Sequence, residues 1–132
     1  MKVLRVRLAV TIAARPDAVF AALTDAKAIA EWSGQKGRVA SKIGGVFEMF
    51  DGWVKGKVME YKPGKSLAYT WHTEDWTADT EDSVVRYTFS AVPAGTKVIL
   101  EHSKFPNEGE MNSHKSGWKE HVFDPLKQHF SK

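Results

Sequence analysis

The stretch DSVVRYTFSAVPAGTKVILEHS, residues 82–103, decides the fold. Val85, Tyr87 and Phe89 alternate with polar neighbours, and after the turn Pro93-Ala94-Gly95 the residues Val98, Leu100 and His102 repeat the pattern. Period-two alternation puts each set on one face of a strand, and a short Pro/Gly turn joins antiparallel neighbours. The same pattern extends backwards along the chain. Residues 66–73 carry Leu67, Tyr69 and Trp71 on one face, a strand from about Trp53 to Tyr61 ends at Pro63-Gly64, and residues 46–50 precede it. Asp51-Gly52 between those two is a two-residue hairpin signal. The first residues alternate as well: Leu4, Val6, Leu8, Val10 and Ile12 are interrupted by Arg5 and Arg7. That is a half-buried strand and not the continuous apolar run of a targeting peptide.

Helical signals flank the strands. Arg15-Pro16-Asp17 opens a helix, since proline at a first helical position gives up only an N–H that had no partner there. Val19, Phe20 and Leu23 follow at helical spacing, and Thr24-Asp25 is expected to cap a second short helix through about Trp32, with Ile29 and Trp32 inward. After Pro106-Asn107-Glu108-Gly109 the period changes again. Met111, His114, Trp118, His121, Val122, Leu126, His129 and Phe130 form one broad stripe of a long C-terminal helix, which Pro125 is expected to kink or divide. A sheet with one apolar face and a helix with one apolar stripe must bury each other. The prediction is an α+β fold: a curved antiparallel sheet, two short helices, and a long helix packed on the concave face, in a single domain over residues 1–132.

Composition narrows the function classes. The 132 residues include no cysteine, which excludes disulfides, thiolate metal sites and a cysteine nucleophile. Net charge is only +3, and the lysines lack the neighbouring exposed aromatics that base stacking needs, so nucleic acid is not an expected partner. No stretch approaches the ~20 apolar residues that span a bilayer, so no membrane is expected and the location is predicted to be cytoplasmic.

Trp32, Phe47, Tyr69, Trp71, Tyr87, Phe89 and Trp118 are expected to converge between sheet and helix, either as ordinary core or as the wall of a ligand cavity. His102 and His121 could meet across the same gap and, with Tyr69, orient a small hydrophobic ligand. His114, His121 and His129 lie seven and eight residues apart, a rise of roughly 10–12 Å, too far for one ion, so no metal is expected. Glu60 shares strand parity with Val54, Gly56 and Val58 and is expected to face inward, but one carboxylate makes no acid–base pair. Without a nucleophile elbow, phosphate loop or dinucleotide fingerprint, no catalytic residue and no cofactor are assigned. Lys36, Arg38, Lys42, Lys55 and Lys57 crowd one region ahead of the acidic run Glu74–Asp82 and are the candidate partner-binding face.

Several stretches, in this order and spacing, carry a resemblance. They are Val19-Phe20-Ala21-Ala22-Leu23-Thr24, Gly44-Gly45-Val46-Phe47, Val54-Lys55-Gly56-Lys57, the pair Trp71 and Trp76, and Gly117-Trp118 with Phe123-Asp124-Pro125-Leu126-Lys127-Gln128. Together they resemble the C-terminal-domain type of the activator of heat-shock protein 90 ATPase, within the START-like helix-grip superfamily. The resemblance implies a non-enzymatic binding module that docks on heat-shock protein 90 and stimulates its ATPase. A small hydrophobic-ligand carrier or sensor, and behind it an enzyme acting in the cavity, are the alternatives.

Overall fold

The computed structural model describes residues 4–131. Seven strands form one antiparallel sheet: β1 (Arg5–Ile12), β2 (Arg38–Val39), β3 (Val46–Met49), β4 (Val54–Lys62), β5 (Ser66–Thr73), β6 (Ser83–Val92) and β7 (Gly95–Ser103), in the order β1-β7-β6-β5-β4-β3-β2. In the β6–β7 hairpin Tyr87 sits opposite Leu100, Val85 opposite His102 and Phe89 opposite Val98, so both alternating sets fall on one face. Leu67 and Tyr69 of β5 extend that face opposite Tyr87 and Val85. All of these residues are buried.

The outer face is charged. Arg86 bonds Glu60 at 3.0 Å and Arg7 pairs with Glu101 at 3.8 Å. This corrects the inward placement of Glu60. The register between β4 and β5 shifts between Val58 and Glu60, and the extra residue reverses strand parity beyond it. Glu60 therefore lands outside, where the Ser66 side chain and then Arg86 and Lys62 hold its carboxyl below the usual carboxylate range, against an opposing upward push from burial.

Two short helices, α1 (Pro16–Thr24) and α2 (Ala26–Ser33), link β1 to β2. Val19, Phe20, Leu23, Ile29 and Trp32 are buried as their spacing requires. Asp25 occupies the helix junction without a side-chain cap bond, and Gly34 at φ 75° ends α2 in the left-handed conformation that glycine tolerates. Asp51-Gly52 does not make a two-residue hairpin. Phe50, Asp51 and Gly52 form a 3-10 turn with all three φ values positive, which carries the Phe50 ring toward the inner face.

The last helix begins as α3 (Glu108–Gly117), earlier than its apolar stripe, because the Asn107 side chain accepts the Glu110 N–H at 2.9 Å and caps it. Pro125 does not divide it. A π-helical turn (Trp118–Phe123) precedes α4 (Asp124–His129), and the backbone stays helical through both joints. The wider turn lets the Asp124 N–H bond back to the Lys119 carbonyl just where proline cannot donate. Trp118, Val122 and Leu126 lie at i, i+4 spacing and are buried against the sheet. Thr73 Oγ1 is buried and has no hydrogen-bond partner among the described residues. Thr73→Val is expected to raise stability by about 1 kcal/mol in urea denaturation, since it removes an unpaired hydroxyl at nearly constant shape.

Candidate functional site

A cleft of about 390 Å³ opens between the last helix and one end of the sheet. Phe50 and Trp53 from the β3–β4 turn, Trp71 from β5, and Ser113, His114, Gly117, Trp118, His121 and Val122 from the helix line it, with Gln35 at its edge. Two sequence features create it. The positive-φ turn brings Phe50 and Trp53 over the sheet rim, their rings 6.3 Å apart. On the opposite wall stands Gly117. A methyl group added there would meet nothing nearer than His121 Cδ2 at 3.9 Å. A glycine inside a helix costs about 1 kcal/mol relative to alanine, and here no close backbone approach requires it. It leaves open space in the cleft.

Behind the cleft two histidines are locked in place. Trp71 Nε1 donates to His114 Nε2 at 3.1 Å, and Trp118 Nε1 donates to His102 Nδ1 at 3.0 Å. A ring nitrogen that accepts an indole proton carries none of its own, so both tautomers follow. His114 Nδ1–H donates to the Glu110 carbonyl at 2.8 Å. His102 Nε2–H donates to Ser83 Oγ at 2.7 Å, and Ser83 in turn donates to the Trp71 carbonyl at 2.8 Å. Trp53 stacks on His114 and Trp76 Nε1 bonds the Glu110 carboxylate, so three indoles surround one imidazole.

Burial keeps both rings neutral. It pushes His102 down to about 2, with a smaller contribution from neighbouring His114, and it lowers His114 against the opposing pull of Glu110. The folded values lie below the unfolded one near 6.5, so the unfolded chain binds more protons below that pH. The stabilisation is fully present above pH 6.5 and is lost progressively below it. Denaturation midpoints are expected to be level from pH 8 to 7 and to fall steadily from pH 6.5 to 5, before carboxylates titrate. A level profile down to pH 5 would show that neither ring is held neutral.

The candidate residues separate into groups. Phe47, Tyr69, Trp71, Tyr87, His102 and Trp118 come together in one buried aromatic cluster. Phe47 stacks on Tyr69 with ring centres 3.6 Å apart, and the Tyr69 and Tyr87 hydroxyls bond each other at 3.0 Å. Burial pushes both phenols up. Of this cluster only Trp71 and Trp118 reach the cleft. Phe89 continues the buried core away from the cleft, its ring stacked on Tyr87 at 6.0 Å and edge-on to Phe20, and Trp32 ties the two short helices together through an Nε1 bond to the Ala22 carbonyl at 2.7 Å. His102 meets His114 and not His121. The π turn rotates His121 off the buried line, leaving it exposed at the cleft mouth. Trp53 and His114 line the site without being cavity candidates in the sequence. Trp53 reads in the sequence as the first residue of a strand, whereas the structure leaves it in the turn before β4, and His114 sits on the helix stripe with nothing local to separate it from His121. Among the described residues no group of three or more His, Asp or Glu is placed to hold a metal ion, and no helix is long and apolar enough to cross a membrane.

Lys36, Arg38, Lys42, Lys55 and Lys57 lie outside this cleft and are exposed. Arg38 is bound to Glu48 at 3.0 Å, while the Lys36 N–H bonds Asp51 Oδ1 at 2.8 Å.

The chain was compared with known proteins. A Dictyostelium discoideum protein, the activator of 90 kDa heat shock protein ATPase homolog, is 27% identical over 89 residues, 67% of this chain and 23% of that protein. The chain spans well under half the length of the curated relatives it matches. Among solved structures, an HSP90 activator from Plasmodium falciparum superposes with a TM-score of 0.85 at 25% identity, over 94% of both chains. A Mesorhizobium loti protein superposes with a TM-score of 0.83 at 27% identity, over 96% of both. The model of the family described as "Activator of Hsp90 ATPase homolog 1-like protein" matches residues 13–131, from the end of β1 through the last helix, and the chain belongs to that family.

Proposed function

We propose that this chain is a non-enzymatic binding domain that docks on heat-shock protein 90 and raises its ATPase rate. The observation that carries the reading is the likeness to the Plasmodium activator, which runs over 94% of both chains at 25% identity and so matches this domain from end to end. The core is consistent with it. His102, His114 and Ser83 at its centre are hydrogen-bonded and both rings are held neutral, and among the described residues the carboxylate nearest these two histidines, Glu110, is engaged by Trp76. The test is a titration of purified heat-shock protein 90 with this protein, following complex formation by sedimentation and ATP turnover by phosphate release. A complex with faster turnover is the expected result. No complex and unchanged turnover would remove the reading.

A second reading, a carrier or sensor of small hydrophobic molecules, is favoured by the cleft. Indole and phenyl walls and an unfilled volume beside Gly117 suit a planar aromatic ligand. The floor carries no charged side chain, and both histidine acceptors are already taken by indole protons. The ligand is therefore neutral, with at most one or two polar groups aimed at Ser113, Gln35 or His121 at the mouth. Tryptophan fluorescence should be quenched by 1-naphthol in the wild type and not in Gly117→Leu, whose side chain fills the space. Equal quenching in both would place the ligand elsewhere.

A further inference from the structure

Three large apolar side chains stand exposed among the described residues, and they cluster at one corner of the sheet. Ile43 is 74% exposed, Val46 44% and Met59 42%. The β2–β3 turn that carries Ile43 lies along β4, with the Gly44 N–H donating to the Val58 carbonyl at 2.7 Å and the Val58 N–H donating to the Gly45 carbonyl at 2.9 Å. Val46 sits opposite Lys57, and Met59 is two residues further along the same strand. The neighbours Phe47 and Val58 point inward and are buried, so Val46 and Lys57 share the outer face, and Met59, the extra residue of the bulge, is itself exposed next to them.

The charges around this corner are unbalanced. Glu48 is taken by Arg38 at 3.0 Å, and Glu60 by Arg86 at 3.0 Å and Lys62 at 3.9 Å. Lys42, Lys55 and Lys57 are exposed and have no ion-pair partner among the described residues. An apolar centre rimmed by three free ammonium groups matches a protein surface that offers carboxylates around an apolar anchor. A second copy of this chain is a poor occupant, because a two-fold contact would set the same lysines against each other. A bilayer is also poorly matched, since the corner is made of strand and turn and presents no amphipathic helix to lie in the interface.

We propose that this corner, on the face of the sheet away from the tryptophan cleft, seats an acidic, apolar-centred segment of heat-shock protein 90. The inference rests on that chaperone being the partner and adds the surface that meets it. Val46→Asp places a charge in the apolar centre, and Lys55→Glu with Lys57→Glu reverses the rim. Both changes are at exposed positions, so thermal melts should stay close to wild type.

The experiment measures association of each purified variant with purified heat-shock protein 90 by surface plasmon resonance, with Lys97→Glu on β7 as a control. The lysine pair is expected to slow association about fivefold or more at 50 mM salt, and near 0.5 M salt the difference should disappear. Val46→Asp is expected to weaken the complex about tenfold at every salt concentration. Lys97→Glu should bind as wild type does. If all variants bind like the wild type, the surface is wrong while the partner stands. If the wild type does not bind at all, both fall. Co-sedimentation of the wild type with phosphatidylserine vesicles, lost in the lysine pair, would assign the corner to a membrane. Wild-type dimerisation abolished by Val46→Asp would assign it to a second copy. Either result would overturn the proposal.

Discussion

Trp118→Ala is expected to lower stability by about 3–5 kcal/mol, enough to unfold a marginal domain near body temperature. Trp118 is buried at the first residue of the π turn, where its ring lies 5.1 Å from Trp71 and 6.0 Å from Tyr87. Truncation leaves a hole between helix and sheet and also removes the indole proton that His102 Nδ1 accepts. That acceptor is then buried without a donor, which adds a desolvation cost to the cavity. Trp118→Phe separates the two effects. It refills most of the volume and leaves the acceptor unpaired, so it should cost about 1–3 kcal/mol. Urea denaturation with tryptophan fluorescence checks both. A loss under about 1 kcal/mol for the alanine variant would mean that the helix does not seat this ring on the sheet.

Gly56→Ala is expected to be about as damaging, for the opposite reason. Gly56 lies in β4 with its missing side chain directed at β5, and an added methyl carbon would sit 1.8 Å from the Thr70 carbonyl oxygen and 2.6 Å from its carbon. Backbone cannot rotate out of the way as a side-chain end can. The strands approach closely there because the ladder is irregular, with the Lys57 N–H donating to Thr70 Oγ1 at 2.8 Å. Overpacking typically costs ~1–3 kcal/mol, and a clash with main chain on a central strand pair belongs at or above the top of that range. The variant should melt well below wild type or fail to accumulate as folded protein. Gly117→Ala is the contrasting case, where the new methyl meets only His121 Cδ2 at 3.9 Å, so that variant should hold or gain stability by up to about 1 kcal/mol.

Alternation along β5, β6 and β7 makes the inner face legible in the residues themselves, because period two admits only two faces and one of them is nearly all apolar. The helix stripe is legible through Trp118, Val122 and Leu126 for the same kind of reason. Expectation and structure part where one residue is inserted into a regular period. The bulge after Val58 turns Glu60 outward, and the π turn after Gly117 moves His121 off the buried line and leaves His114 to meet His102. The β3–β4 hairpin forms, but a longer connection containing the 3-10 turn at Phe50–Gly52 replaces the expected two-residue turn and carries Phe50 and Trp53 to the cleft.

By itself, then, the order of residues determined the class of fold, the two faces of the sheet, the apolar line of the last helix, and the family. The faces and the apolar line are written in repeats of short range, where a side chain's neighbours along the chain settle its direction, whereas the family is carried by particular stretches matched along residues 13–131. Tertiary structure alone decided which aromatics are core and which are cleft wall, since Phe47 on β3 is fully covered while Trp53, in the turn that follows, is left half-buried at the cleft. It alone paired His102 and His114 with indoles 16 and 43 residues away, and so settled which nitrogen of each ring holds the proton. It alone gathered Ile43, Val46 and Met59 into one patch, because hydrogen bonds to Val58 bring a turn and a bulged strand together that no local period relates.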